Sequence, residues 1–167
     1  GWRVAPQLAQ ARIPVIASAL NDLPASFEML GATQSNIGRM KDAGVQVAIG
    51  MINDRDSHQL RYTTQYAGNI VSLERVPGAT GLTWDEAFAA ISSVPADIMG
   101  VGDRLGSLKA GKAADVVVWD GDPLELSSAP TTVIIDGVEQ PLDNRQNRLR
   151  DRYARPTEGD LPKAYDR

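Results

Sequence analysis

The side chains that could transfer protons or bind a cation are concentrated in one short polar segment. Residues 53–57 read NDRDS, with Asp54 and Asp56 two positions apart, and His58 follows directly. Arg61 comes three residues after His58, and its forked guanidinium could bind a carboxylate of a ligand. Carboxylates and an imidazole are groups that perform general acid–base chemistry. The alternative is a solvated loop whose histidine caps the next helix.

Composition limits which catalytic chemistry this chain can carry. His58 is the only histidine, and the sequence contains no cysteine. The chain therefore cannot form a disulfide, a thiolate metal site or a cysteine nucleophile. A histidine-rich zinc site or a Ser–His pair elsewhere is also excluded from this chain alone.

Two apolar segments must position these polar residues. Residues 13–20 and 45–52 are rich in Val, Ile and Ala, which predicts two buried strands. A helix is predicted over residues 32–43, with Gly44 at the position after its last turn. Strands joined by a helix form a parallel βαβ unit, and residues 53–57 follow its second strand.

The rest of the chain changes from helices to short strands. A helix is predicted over residues 58–74, and a second one over residues 83–93 begins with a capping box of Thr83 and Glu86. A strand is predicted over residues 114–120, followed by a hairpin that turns at Asp136-Gly137. We predict three parts: an α/β part, a small β part and an Arg-rich tail, which cover residues 1–100, 101–142 and 143–167.

The densest motif spans residues 102–123, which read GDRLGSLKAGKAADVVVWDGDP. This segment resembles the C-terminal signature of the metal-dependent amidohydrolase superfamily, and most of all its imidazolonepropionase-related bacterial branch. The Val94-Pro95-Ala96 turn and the Gly-Leu-Thr order at residues 81–83 also match that family. The resemblance covers nearly the whole chain up to about residue 140. It leaves the compartment open between the bacterial cytoplasm and the periplasm.

The resemblance implies an α/β fold that is only part of a larger architecture. Residues 13–48 are similar to strands seven and eight of a (β/α)8 TIM-type barrel with their helix, and a small β-sandwich portion follows. A complete barrel needs at least about 200 residues, and strands one to six would precede Gly1. The chain is therefore expected to be the C-terminal part of such a protein.

The function implied by the resemblance is hydrolysis of non-peptide C–N bonds of small molecules by metal-activated water, with zinc in the parent enzyme. Family members hold the metal with histidines on earlier strands and with an Asp after strand eight. This chain has Ile52 at the position of that Asp. We therefore predict Asp54 as the metal ligand and Asp54, His58 and Arg61 as catalytic residues.

The resemblance also leads to expectations about the activity and the partners of the isolated chain. Without the histidine ligands, this chain alone is expected to be inactive and to associate with the missing N-terminal part or with itself. The alternative is a non-catalytic α/β module or degenerate relative that acts by association. Nucleic acid is not expected, because the Arg-rich tail belongs to a chain of net charge −4. No apolar run approaches the roughly 20 residues that cross a membrane.

Overall fold

The computed structural model describes residues 1–19, 24, 26–51 and 60–154. Within these ranges an α/β part is followed by a three-stranded antiparallel sheet and a C-terminal helix. The helices are α1 (Ala5–Gln10), α2 (Asn36–Asp42), α3 (Thr63–Ser72), α4 (Trp84–Ala90), α5 (Ser93–Ile98) and α6 (Arg145–Tyr153). The strands are β1 (Val15–Ala17), β2 (Val47–Ile49), β3 (Val116–Trp119), β4 (Pro130–Ile135) and β5 (Val138–Gln140).

The predicted parallel pair of strands is confirmed. β1 and β2 are hydrogen-bonded in parallel, with Val15 opposite Val47 and Ala17 opposite Ile49, and α2 connects them. All three residues of β2 are buried, as expected for a strand covered on both faces. Both strands are shorter than predicted, and the last residue of each predicted segment, Leu20 and Ile52, lies outside the described residues.

Helix α2 begins four residues later than the sequence predicted. The Ser35 amide donates to Thr33 Oγ1 at 3.2 Å, and the Asn36 amide donates to the Thr33 carbonyl at 3.1 Å. These local bonds form a turn in place of a first helical turn, which is the usual behaviour of Ser and Thr at helix starts. The end of the helix is as predicted, because Gly44 has a φ of 86°.

The two later helices occupy the predicted segments in shorter form. α3 is flanked by 3-10 turns at Leu60–Tyr62 and Leu73–Arg75. α4 has the predicted capping box, in which the Glu86 amide donates to Thr83 Oγ1 at 3.3 Å and the Thr83 amide donates to Glu86 Oε2 at 3.1 Å. The predicted helix over residues 83–93 ends early, and α5 begins separately at Ser93.

The second part of the chain is an antiparallel sheet in the order β3-β4-β5. Its predicted hairpin is confirmed, with Asp136 and Gly137 at φ values of 50° and 77°. Asp115 Oδ1 accepts a hydrogen bond of 2.8 Å from the Asp136 amide. None of the residues in these three strands is buried. A second covering sheet is not found among the described residues, so the β-sandwich stays a prediction.

One loop attaches this sheet to the α/β part. Leu124 is buried in the main core, and a Cβ at Gly68 of α3 would overlap the Leu124 carbonyl oxygen. Trp84 Nε1, at the start of α4, donates to Asp122 Oδ2 at 2.9 Å. The loop before β4 therefore lies directly against α3 and α4.

The described part of the Arg-rich tail contains a helix that the sequence analysis did not predict. Residues 145–153 form α6 because Asn144 Oδ1 accepts hydrogen bonds from the amides of Gln146 and Asn147 at 2.9 and 3.0 Å. Arg150 and Arg152 lie in its last turn, where positive charge interacts favourably with the negative end of the helix dipole. α6 contains no buried residue. No helix in the described ranges is long and apolar enough to cross a membrane.

Candidate functional site

Arg61 is the one predicted site residue that the structure describes. It lies in the 3-10 turn Leu60–Tyr62, at the entrance to α3. One terminal nitrogen donates to Gln146 Oε1 of α6 at 3.2 Å and the other to the Tyr62 hydroxyl at 3.1 Å. The guanidinium carbon is 4.9 Å from the centre of the Tyr62 ring. Within the described part of the chain its partners are neutral, so its positive charge is not compensated by an ion pair.

A cleft of about 400 Å³ lies beside Arg61, between the start of α3 and the loop that precedes β4. One wall comes from residues 60–65 and the other from the end of β3 and the loop after it. The principal side chains of the two walls are Leu60, Arg61, Tyr62, Trp119, Glu125 and Leu126. The cleft thus combines aromatic and aliphatic surface with one positive and one negative group.

The other predicted site residues, Asp54 and His58, lie outside the described residues. In the described ranges no group of three His, Cys, Asp or Glu side chains is arranged to hold a metal ion. The described residues therefore do not fit a zinc site, and the assignment of Asp54 as a metal ligand remains a prediction.

A second cavity, of about 380 Å³, lies along the edge of β1 that β2 does not cover. Trp2 closes part of it, donating from Nε1 to the Gly31 carbonyl at 2.7 Å and from its amide to Asn36 Oδ1 at 2.9 Å. Ser18 Oγ lines this cavity, buried and without a hydrogen-bond partner in the ranges the structure describes. A serine without a neighbouring base is not an activated nucleophile, so this cavity is a weaker candidate for catalysis.

Among the described residues, two carboxyl groups have a lowered pKa. The pKa of Glu86 is lowered, first by the hydrogen bond from Lys41 and then by the Thr83 amide. The pKa of the fully exposed Glu28 is lowered, first by a hydrogen bond from Ser26. Glu86 lies at a helix start rather than in the cleft beside Arg61, so its lowered pKa reports the Lys41 contact and, second, the helix cap.

Comparison with known protein families identifies the family to which this chain belongs. The Amidohydrolase family pattern matches residues 3–141, which is most of the chain. The chain belongs to the amidohydrolase family, which confirms the resemblance to the metal-dependent superfamily. The structural neighbours have the TIM-barrel class of α/β fold, in agreement with the parallel β1–β2 unit.

Individual relatives match parts of the chain. Amidohydrolase tasK of Hapsidospora irregularis is 52% identical over 60 residues, which are 36% of this chain and 6% of that protein. An imidazolonepropionase of Maricaulis maris is 33% identical over 100 residues, or 59% of this chain and 23% of that protein. The chain therefore spans less than a quarter of the length of that imidazolonepropionase.

Solved structures agree in fold. A Thermotoga maritima amidohydrolase superimposes with a TM-score of 0.70 and 30% identity, covering 83% of this chain and 34% of that one. A Xanthomonas campestris adenosine deaminase with bound zinc has a TM-score of 0.56 at 24% identity, with coverage of 82% and 34%. The second likeness is evidence of fold alone.

Sequence reasoning missed most of the cleft. None of Trp119, Glu125 and Leu126 was selected from the sequence. Trp119 is only half-buried and Leu126 is 78% exposed. No local pattern marks such residues, because the cleft forms only when the loop before β4 reaches α3.

Proposed function

We propose that this chain is the C-terminal part of an amidohydrolase-type hydrolase that acts on non-peptide C–N bonds of small molecules. The observation that carries the proposal is the family match over residues 3–141, which includes both the parallel strand pair and the antiparallel sheet. The imidazolonepropionase relatives support a C–N hydrolase.

In this proposal the chain supplies the end of the barrel and one wall of the substrate site. Arg61 is the proposed group for a substrate carboxylate, because its guanidinium is exposed and its described partners are neutral. Asp54 and His58 stay the proposed proton-transferring residues, and Asp54 the proposed metal ligand. Zinc is proposed for the parent protein from the family.

The test compares the product of the complete reading frame with the 167-residue chain. Both are assayed for hydrolysis of lactams, N-acyl amines and imidazolones, followed by the carboxylate or amine group that C–N cleavage forms. We expect turnover by the complete product, a large loss in its Asp54→Asn variant and no loss in Asp42→Asn on α2. The isolated chain should give no turnover and only weak zinc binding by calorimetry. Turnover or a stoichiometric, tight zinc site in the isolated chain would contradict the proposal, as would an inactive complete product.

The second candidate is a non-catalytic relative that acts by association. Ile52 at the position of the family Asp favours it, since an alkyl side chain cannot bind a metal. The sheet also exposes Val117, Val118, Ile135 and Val138 by 45% to 62%. Exposed apolar sheet surface and the uncovered edge of β1 favour pairing with the N-terminal part or with a second copy.

Light scattering of the purified chain tests this association. We expect a mass above that of one chain at micromolar concentration. Replacing Val117 and Ile135 by Thr should shift the equilibrium toward the monomer, because the two exposed side chains become polar while remaining β-branched. A monomer of 17.9 kDa for the unmodified chain would exclude self-association.

A further inference from the structure

The cleft beside Arg61 has apolar walls that no described residue covers. Leu60 and Leu126, on opposite walls, are 69% and 78% exposed. Trp119 lies half-buried in the same cleft. Exposed large apolar side chains that converge on one concave site are typical of ligand-binding surfaces. Such walls fit a flat apolar group.

The same cleft carries two opposite charges that do not neutralise each other. Arg61 donates only to the Gln146 amide oxygen and the Tyr62 hydroxyl within the described ranges. Glu125 lines the opposite wall, and its carboxylate forms no hydrogen bond or ion pair with a described residue. A ligand that carries both a carboxylate and an ammonium group can pair with both residues.

We propose that this cleft binds a small zwitterion of the amino-acid class with a flat apolar side chain. The ligand carboxylate pairs with the Arg61 guanidinium, and the ligand ammonium pairs with the Glu125 carboxylate. The apolar side chain lies on Trp119 between Leu60 and Leu126. A volume of about 400 Å³ is within the range of small-ligand pockets.

This inference rests on the proposed function only through the carboxylate-binding role of Arg61. It concerns equilibrium binding and needs no metal and no turnover. The unmodified 167-residue chain can therefore be tested directly. An inactive complete enzyme would overturn the proposed hydrolase and leave this inference standing, provided that the cleft binds its ligand.

The experiment is calorimetric titration with three probes that differ only in charged groups: L-phenylalanine, 3-phenylpropionate and phenethylamine. L-Phenylalanine should bind most tightly. Arg61→Gln should weaken L-phenylalanine and 3-phenylpropionate by about tenfold, the value of one charge-assisted hydrogen bond, and leave phenethylamine unchanged. Glu125→Gln should weaken L-phenylalanine and phenethylamine by a similar factor and leave 3-phenylpropionate unchanged.

Two exposed residues away from the cleft provide matched controls. Arg75→Gln and Glu139→Gln make the same charge changes and should leave all three affinities as they are. L-Phenylalanine should change the indole fluorescence of the unmodified chain, and Trp119→Phe should abolish that change while Trp2 and Trp84 remain. Circular dichroism verifies that each variant is folded.

The proposal is overturned if L-phenylalanine shows no saturable binding at millimolar concentration. It is also overturned if L-phenylalanine binds no more tightly than the two singly charged probes, or if the Arg61 and Glu125 variants behave like their controls. A fluorescence change that persists in Trp119→Phe would place the ligand elsewhere and overturn it as well.

Discussion

Replacing Glu86 by Gln or by Ala separates two interactions at the start of α4. The Glu86 carboxylate accepts a hydrogen bond of 3.1 Å from the Thr83 amide, which completes the capping box. It also forms an ion pair of 2.7 Å with Lys41 of α2. Gln can still accept from the Thr83 amide but carries no charge. Ala removes both interactions.

The expected loss of unfolding free energy depends on how exposed the Lys41 and Glu86 side chains are. The Lys41 and Glu86 side chains are 43% and 37% exposed, so solvent screens the ion pair. We expect Glu86→Gln to lower the free energy of unfolding by about 0.5 kcal/mol. Loss of a cap costs about 1 kcal/mol more, so Glu86→Ala should lower it by about 1.5 kcal/mol.

The same carboxylate predicts a pH dependence. The Lys41 ammonium, and secondarily the Thr83 amide, hold the Glu86 pKa below its ordinary value of 4.5. A lowered carboxyl pKa in the folded state means that the stabilisation is fully present above the unfolded pKa. It is lost as the pH falls through the folded pKa. The stability difference between the wild-type protein and Glu86→Gln should therefore be present at pH 7 and diminish below pH 4.5.

Urea denaturation, followed by circular dichroism at several pH values, measures these differences. Asp85→Asn is the matched control, because it removes a carboxylate from the same helical turn without an ion pair or a capping bond. The reasoning is refuted if Glu86→Gln, Glu86→Ala and Asp85→Asn lower the stability equally. A Glu86→Gln effect that persists undiminished in acid would refute the role assigned to its charge.

Three further substitutions test the packing, each measured by urea denaturation or hydrogen exchange. Gly68→Ala should cost about 1–3 kcal/mol by overlap with the Leu124 carbonyl, even though Ala favours a helix; an unchanged stability would disprove that close approach. Lys112→Met should cost about 1–3 kcal/mol, because the Lys112 ammonium donates to Ser107 Oγ and to the Gly102 and Leu105 carbonyls; a neutral effect would mean that water replaces it. Asn144→Ala should cost α6 about 1 kcal/mol and speed amide exchange at Gln146, whereas unchanged exchange would show that the cap is dispensable.

The predictable part of the fold is the part that local patterns determine. The strand pair β1–β2 follows from two apolar β-branched segments, and the α4 capping box from Thr83 and Glu86 three positions apart. α6 was missed because residues 145–153 have no apolar stripe, which is the main signal of a helix in a sequence. Its formation depends on the Asn144 cap and on arginine, a good helix former.

Only the Arg61 wall of the cleft contains a residue that could be selected from the sequence. Arg61 was selected because it follows the polar segment after a buried strand, and the structure places it in the 3-10 turn at the entrance to α3. Trp119 and Glu125 come about sixty residues later in the sequence. Trp119 and Glu125 line the same cleft as Arg61 because the loop before β4 packs on α3. No rule of sequence spacing predicts such packing.

The Gly68–Leu124 contact therefore links the stability of the protein to the proposed ligand binding. Gly68 lies one helical turn after Thr64, a residue of the first cleft wall, and touches Leu124, the neighbour of Glu125 on the second wall. A side chain at position 68 would push the two walls apart without entering the cleft. The packing that fixes the antiparallel sheet to α3 thus also sets the distance between the Arg61 and Glu125 charges. For a ligand that bridges both charges, that distance determines affinity, since each ion pair requires close approach.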